Sequence, residues 1–152
     1  MKKYKWFFTI CFLLATTLLY AQTAAEIEKL LETEAVSYEQ AAWLVLEAAD
    51  LSGSFESSAS DGAFKFAARQ GWLPKKAAPQ DKATLEGVSL LVMRSFGIKG
   101  GIFYSLLKSP HYAYREMVYQ DIIQGRSDPQ MPVSGSLLLF LVNRVLSGAE
   151  EL

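Results

Sequence analysis

Trp72, Lys75 and Lys76 lie close together in a stretch that a helix cannot cross, because Pro74 and Pro79 interrupt it. An aromatic face beside ammonium groups could hold a sugar ring and its acidic substituent. Aromatic side chains are also often buried, so the alternative is that Trp72 fills the core while the two lysines stay in water. The stretch is therefore either a sugar-binding loop or a core contact with a solvated rim.

Three arginines add to this candidate site. Arg126 lies fifty residues after Lys76, and Arg94 and Arg144 are also fifty residues apart, each in the last turn of a predicted helix. A guanidinium group suits a carboxylate or phosphate ligand. The alternative for Arg94 and Arg144 is a favourable interaction with the carboxyl end of a helix, worth about 0.3 to 1 kcal/mol. The candidate ligand-binding residues are thus Trp72, Lys75, Lys76, Arg94, Arg126 and Arg144.

The sequence contains no set of residues that predicts catalysis or metal binding. His111 is the one histidine, and local spacing places no serine or carboxylate beside it, so we expect a structural role for it. A zinc site would need further ligands, and the acidic residues lack the spacing of a calcium loop. We expect a non-enzymatic protein with no catalytic residue, no metal and no other cofactor.

The chain resembles itself at a constant offset of fifty residues. Laying 63–96 on 113–146 gives seven identities in thirty-four pairs, where unrelated sequences of average composition would give about two. An offset of forty-seven residues pairs Val36-Ser37 with Ala83-Thr84. Self-similarity at such a period indicates units that bury their apolar faces against one another. We expect three units, at about residues 23–51, 61–98 and 111–147.

Each unit is predicted to contain a helix, an extended loop and a second helix. Ser37 and Gln40 form a capping box, and Thr84 and Ser134 are N-caps at the matching positions. Strand patterns are scarce, so the predicted fold class is all-α. The run 137–142 is apolar on every side, which predicts that the last helix is central.

Residues 97–110 join the second and third units. Three glycines, at 97, 100 and 101, interrupt the helical pattern. The residues that follow are too apolar to be left in water: Ile102, Phe103, Tyr104, Leu106 and Leu107. We expect a short helix laid over a seam between units.

The first 21 residues have the organisation of a secretory signal. Lysines at 2, 3 and 5 precede an apolar segment at 6–19, and Ala21 is a small residue suited to cleavage. The segment is shorter than the roughly twenty residues that a bilayer span needs. We expect a signal peptide at 1–21 and one domain at 22–152, exported to the periplasm or cell envelope, with no stable membrane span.

Cleavage would change both the cysteine content and the charge. It would remove Cys11, the one cysteine, and with it any disulfide or thiolate metal site. It would also reduce the 15 basic residues to 12, against 16 acidic ones. A net negative charge argues against a general nucleic-acid binder.

The repeated units carry motifs that can be compared with a known family. The third unit contains Ile122-Ile123-Gln124-Gly125, Pro129, Val133-Ser134 and the closing helix with Arg144; the second contains Gly71-Trp72-Leu73, Pro79 and Ala83-Thr84. These motifs resemble S-layer homology modules, in which Gly-Ile-Ile-x-Gly and Phe-x-Pro lead into Ile-Thr-Arg-Ala-Glu at the start of a helix. The chain also resembles small secreted spirochaete envelope proteins.

The resemblance implies an all-α, pseudo-threefold bundle of three helix-loop-helix repeats that binds cell-wall glycans, often acidic ones, in grooves between modules. The position of the family's arginine is taken here by Tyr38, Leu85 and Gly135, so the fork that suits an acidic substituent is missing there.

We expect a protein that attaches or scaffolds by binding peptidoglycan or a related wall glycan near Trp72, Lys75, Lys76 and Arg126. The alternative is a protein-interaction subunit or adaptor of a periplasmic or outer-membrane assembly, using the last helix and the joining segment. Closure of the bundle within one chain or by oligomerisation is left open.

Overall fold

The structure is a computed structural model that describes residues 25, 27–55, 60–125 and 127–149. The predicted signal peptide and Arg126 lie outside the described residues. Residues 27–31 are helical and form α1. The elements that follow are α2 (Tyr38–Ala48), a 3-10 helix (Ser52–Ser54), α3 (Ser60–Arg69), α4 (Leu85–Ser95), α5 (Ile102–Leu107), α6 (Pro110–Tyr119) and α7 (Gly135–Ala149). Apart from isolated β-bridges, the described part is built of helices and loops, which confirms the all-α prediction.

The helices α2, α4 and α7 begin in the same way. The hydroxyl groups of Ser37, Thr84 and Ser134 each accept a hydrogen bond from the backbone N–H three residues later, at 3.2 Å. At α2 the cap is reciprocal, because the Gln40 side chain accepts from the Ser37 N–H at 2.9 Å. These bonds satisfy donors that the first turn of a helix leaves open. The three predicted N-caps are confirmed.

Three backbone segments meet in a closed ring of hydrogen bonds just before these caps. The Val36 N–H donates to the Val133 carbonyl at 2.8 Å, the Val133 N–H to the Ala83 carbonyl at 2.9 Å, and the Ala83 N–H to the Val36 carbonyl at 2.8 Å. All three residues are fully buried. They are also the residues that the offsets of forty-seven and fifty pair. Residues that the two sequence offsets pair therefore meet at one place in the fold.

A second set of bonds links the start of each capped helix to a loop elsewhere in the chain. The first residue of each capped helix donates its backbone N–H to the loop before the next helix: Tyr38 to Asp81 at 3.0 Å, Leu85 to Met131 at 3.0 Å and Gly135 to Thr33 at 2.9 Å. The last of these bonds joins α7 back to the segment after α1. The first and last parts of the described chain are thereby held together.

The most enclosed helix is α4, which packs against α2 and α6. Eight of its eleven residues are buried, including the polar Ser89, whose hydroxyl donates to the Leu85 carbonyl at 2.7 Å. In α7, by contrast, Phe140 and Leu146 are exposed. The prediction that the last helix is central is therefore wrong. An apolar pattern alone does not show how many neighbours a helix has: α4 packs against both α2 and α6, whereas α7 leaves Phe140 and Leu146 in water.

The joining segment 97–110 contains the predicted short helix, α5, which lies against α6. Tyr104 is buried and anchors its inner face, whereas Ile102, Phe103, Leu106 and Leu107 are exposed. The helix is confirmed, but the expectation that its apolar side chains are covered at a seam is wrong for the single chain. These four residues form what we call the outer face of α5.

Candidate ligand-binding site

Trp72 belongs to the packing around α3. It is half-buried, and its ring meets Phe66 edge to face, with ring centroids 5.6 Å apart. Lys75 and Lys76, which follow it in the loop, are exposed. This arrangement favours the core contact with a solvated rim over the sugar-binding loop, because the ring is already engaged by an aromatic neighbour.

The two equivalent arginines have different surroundings. The Arg144 Nε donates a hydrogen bond to the Asp121 carbonyl at 2.8 Å, which ties α7 to the turn after α6. Asp121 has a positive φ of 58° and matches Gly71, whose φ is 67°, at the end of α3. The prediction that Arg144 lies in the last turn of its own helix is wrong, because α7 continues to Ala149. Its guanidinium group acts instead at the carboxyl end of α6.

Arg94 lines an open cleft of about 450 Å³ at the end of α4. The cleft is bordered by the glycine loop 97–100 and by the inner face of α5, and its polar lining includes Lys99, Tyr104, Ser105 and Lys108. Arg94 and Arg144 are equivalent in the repeat, but the segment that joins the units adds this cleft beside Arg94.

Three basic residues line the cleft, and the Glu116 carboxylate borders it through its bond to the Gly101 N–H. Within the described ranges, none of Arg94, Lys99 and Lys108 forms an ion pair; the pair found there is between Lys65 and Asp61. From residue 87 to residue 115 the sequence has four basic residues, these three and Arg115, and no Asp or Glu. Cations gathered in a concave surface raise the local concentration of anions. The cleft suits a carboxylate-bearing or phosphate-bearing ligand.

The loop that borders the cleft is fixed to α6. Glu116 Oε2 accepts from the Gly101 N–H at 2.9 Å, and Gln120 Nε2 donates to the Lys99 carbonyl at 2.9 Å. A side chain at Gly100 would place its Cβ 2.5 Å from the Tyr104 ring, so the loop can approach this closely only with glycine. The cleft is therefore preformed rather than assembled by a mobile loop.

Tyr104 presents a neutral hydroxyl at this site. Burial raises the pKa of the phenol above its ordinary value; Arg94 acts in the opposite direction, and Glu116 adds to the increase. At neutral pH the group therefore remains a hydrogen-bond donor and acceptor and adds no negative charge to the cleft.

His111 lies on α6, is exposed, and makes an edge contact with Tyr112 at 5.6 Å between ring centroids. Across the described residues, no group of three or more His, Cys, Asp or Glu side chains is arranged to hold a metal ion. What the arrangement around Arg94 can do is bind an anion reversibly.

The chain matches no protein-family model, no curated protein and no solved structure. No helix in the described residues has both the length and the apolar character needed to cross a bilayer.

The sequence predicted Arg94 at the site but not Lys99, Tyr104 or Lys108. The available signal was the stretch from 87 to 115, which carries basic residues and lacks acidic ones in a chain whose formal net charge is −1. Of the other predicted residues, Trp72, Lys75, Lys76 and Arg144 are not part of this cleft.

Proposed function

We propose that this protein is a non-enzymatic, exported component of the cell envelope that binds an anionic cell-wall glycan, peptidoglycan or a related polymer. The proposal places the acidic group of the glycan in the cleft of Arg94, Lys99 and Lys108. The observation that carries it is that Arg94, Lys99 and Lys108 line one cleft and that none of the three forms an ion pair in the described part of the chain.

The shape and chemistry of the cleft support a sugar ligand. Its volume of about 450 Å³ lies in the range of small-molecule sites. The Ser105 hydroxyl donates to the Gly100 carbonyl at 3.1 Å and can still accept a hydrogen bond from a sugar hydroxyl. The cations can supply charge-assisted bonds to a carboxylate or phosphate. The predicted secretory signal supports a location where wall glycan is present.

Co-sedimentation with purified wall sacculi tests this proposal. The protein used begins at Gln22, where the predicted cleavage leaves it. An Arg94→Gln/Lys108→Gln variant removes two charges from the cleft, and Lys75→Gln/Lys76→Gln removes two from the Trp72 loop. The two variants change the net charge equally. A difference between them therefore reports contact of the ligand with the cleft and not a general electrostatic attraction between the protein and the sacculi. Circular dichroism shows whether each variant remains folded.

We expect saturable binding by the unmodified protein and a loss of about tenfold or more in the cleft variant, since hydrogen bonds to charged groups contribute about 1.5 to 3 kcal/mol each. The loop variant should bind almost as well as the unmodified protein. Loss of binding in the loop variant alone would assign the ligand to the Trp72 loop and refute the cleft assignment. No binding by the unmodified protein would refute the function itself.

A second candidate function is that of an adaptor in an outer-membrane or periplasmic assembly. The observation that favours it is the outer face of α5, where large apolar side chains are exposed on a helix whose inner face is anchored. An adaptor would hold the wall glycan in the cleft and attach to the envelope through this outer face. The two candidate functions are therefore compatible.

A further inference from the structure

We propose that the outer face of α5 inserts into the interfacial layer of an anionic lipid bilayer. This inference goes beyond glycan binding, because it concerns the opposite side of α5 from the cleft and names a different partner.

The first argument is the amount and arrangement of exposed apolar surface. Ile102 is 84 % exposed, Phe103 67 %, Leu106 78 % and Leu107 53 %. Residues four apart in a helix lie one above the other, so these side chains form two adjacent rows on one side. Exposed apolar patches of this kind on a folded domain indicate a protein or membrane contact.

The second argument is that α5 is held in place. Tyr104 is buried beneath it, Phe103 stacks on Tyr112 with ring centroids 5.8 Å apart, and the Lys108 N–H closes the last turn on the Tyr104 carbonyl at 2.8 Å. The apolar side chains are therefore presented by a fixed wedge. At about 1.5 Å per residue, its six residues extend about 9 Å, which suits insertion at the interface and not a span.

The third argument is charge complementarity. Lys99 precedes α5 and Lys108 follows it; both also line the cleft, and no acidic residue lies between 87 and 115. Glu116 is the next acidic residue, and its carboxylate is engaged by Gly101 and Gln120. Apolar residues flanked by basic ones match a bilayer surface with anionic headgroups, where the cations meet phosphates while the apolar side chains enter the acyl boundary.

The same features argue against a protein partner or a second copy of the chain as the occupant of the outer face. Lysine is depleted in the buried parts of protein interfaces. Four side chains also supply less than the roughly 800 Å² per partner that a standard protein interface buries. An anionic bilayer is the occupant that both the apolar and the basic residues fit.

Vesicle flotation tests the inference with the protein from Gln22 onward. The probes are vesicles of phosphatidylcholine alone and of phosphatidylcholine mixed with phosphatidylglycerol. Ile102→Ser/Leu106→Ser removes the two most exposed side chains of the outer face without touching the Phe103 stack. Phe140→Ser/Leu146→Ser is the matched control, because it removes two exposed apolar side chains from α7.

We expect the unmodified protein to float with the mixed vesicles and not with phosphatidylcholine alone. The α5 variant should lose at least about tenfold in partitioning, and the α7 variant should change by less than about twofold. In a Phe103→Trp variant the fluorescence should shift to the blue on mixed vesicles, which reports insertion rather than adsorption. Equal loss in both double variants, or no shift, would overturn the inference.

Two further results would overturn the lipid inference and would assign the outer face of α5 to another partner. A concentration-dependent dimer that the α5 variant abolishes would assign the outer face to a second copy. Retention of an envelope protein on immobilised protein, without vesicle flotation and lost in the α5 variant, would assign it to a protein partner. The α5 variant keeps Arg94, Lys99 and Lys108, so its binding to sacculi should be unchanged. Failure of the lipid inference is therefore distinguishable from failure of the glycan proposal.

Discussion

Replacing Gly135 by alanine should destabilise the protein at the contact between its first and last described parts. Gly135 is the first residue of α7, and a Cβ built there lies 1.7 Å from the Leu30 carbonyl oxygen and 2.5 Å from the Leu30 carbonyl carbon. Both atoms belong to the backbone, so no side-chain rotation can relieve the contact. The α7 backbone or residues 27–33 must move apart.

The size of this effect follows from the geometry. Carbon and carbonyl oxygen approach to about 3.3 Å in close contacts, so the two backbones must separate by about 1.6 Å. Overpacking of this kind costs about 1 to 3 kcal/mol. The shift also strains the Gly135 N–H bond to the Thr33 carbonyl, now 2.9 Å long, and a hydrogen bond contributes about 0.5 to 1.5 kcal/mol. We expect a loss of about 2 to 4 kcal/mol in the free energy of unfolding.

Urea denaturation of Gly135→Ala, followed by circular dichroism, measures this loss. Gly148→Ala is the control, because it lies in the same helix with no atom within 4 Å of its added Cβ. Alanine is preferred to glycine inside a helix, so the control should be unchanged or more stable by up to about 1 kcal/mol. If the two variants were equally stable, the close approach of α7 to Leu30 would be refuted.

Three further predictions concern local features. Thr84→Ala should lower the free energy of unfolding by about 1 kcal/mol, since it removes the N-cap of α4; urea denaturation of Thr84→Ser, which keeps the hydroxyl, is the control. Asp121→Gly should raise the free energy of unfolding by up to about 1 kcal/mol, because φ is positive at this position. No gain in stability in the same urea assay would contradict the left-handed geometry. Burial raises the pKa of Tyr104 above its ordinary value of 10.0, so the folded protein keeps this proton longer than the unfolded chain and loses stability as the pH rises through 10.0 towards the folded-state pKa. Denaturation curves at about pH 9 and pH 11 should show a smaller alkaline loss in Tyr104→Phe, and an equal loss would show that another group is responsible.

The sequence was informative about helix starts because capping depends on neighbours within one turn. A hydroxyl at Ser37, Thr84 or Ser134 reaches the N–H three residues later whatever the rest of the fold does. The sequence was less informative about which helix is central. The run 137–142 is more apolar than α4, yet α4 is the helix enclosed by α2 and α6. Hydrophobicity indicates that a helix should be buried, but only its packing against neighbouring helices determines how much of it is buried.

The candidate site also combines features that the sequence predicts with features that only the tertiary structure shows. The offset of fifty residues pairs Arg94 with Arg144, but this pairing could not separate their surroundings. Arg144 reaches the Asp121 carbonyl, whereas Arg94 faces a cleft formed by the inserted segment 97–110. A repeat predicts what its copies have in common, and the segment between the copies is where they differ.

The sequence by itself determined the all-α class, the N-caps and the offsets of forty-seven and fifty residues, because these depend on local hydrogen bonding and on the spacing of residue types. The tertiary structure alone decided that Val36, Ala83 and Val133 close a ring, that Lys99 and Lys108 line the same cleft as Arg94, and that α5 presents its apolar side outward. Each of these features depends on which distant segments of the chain come into contact. A sequence pattern indicates that a residue is buried, but it does not specify the segment that buries it.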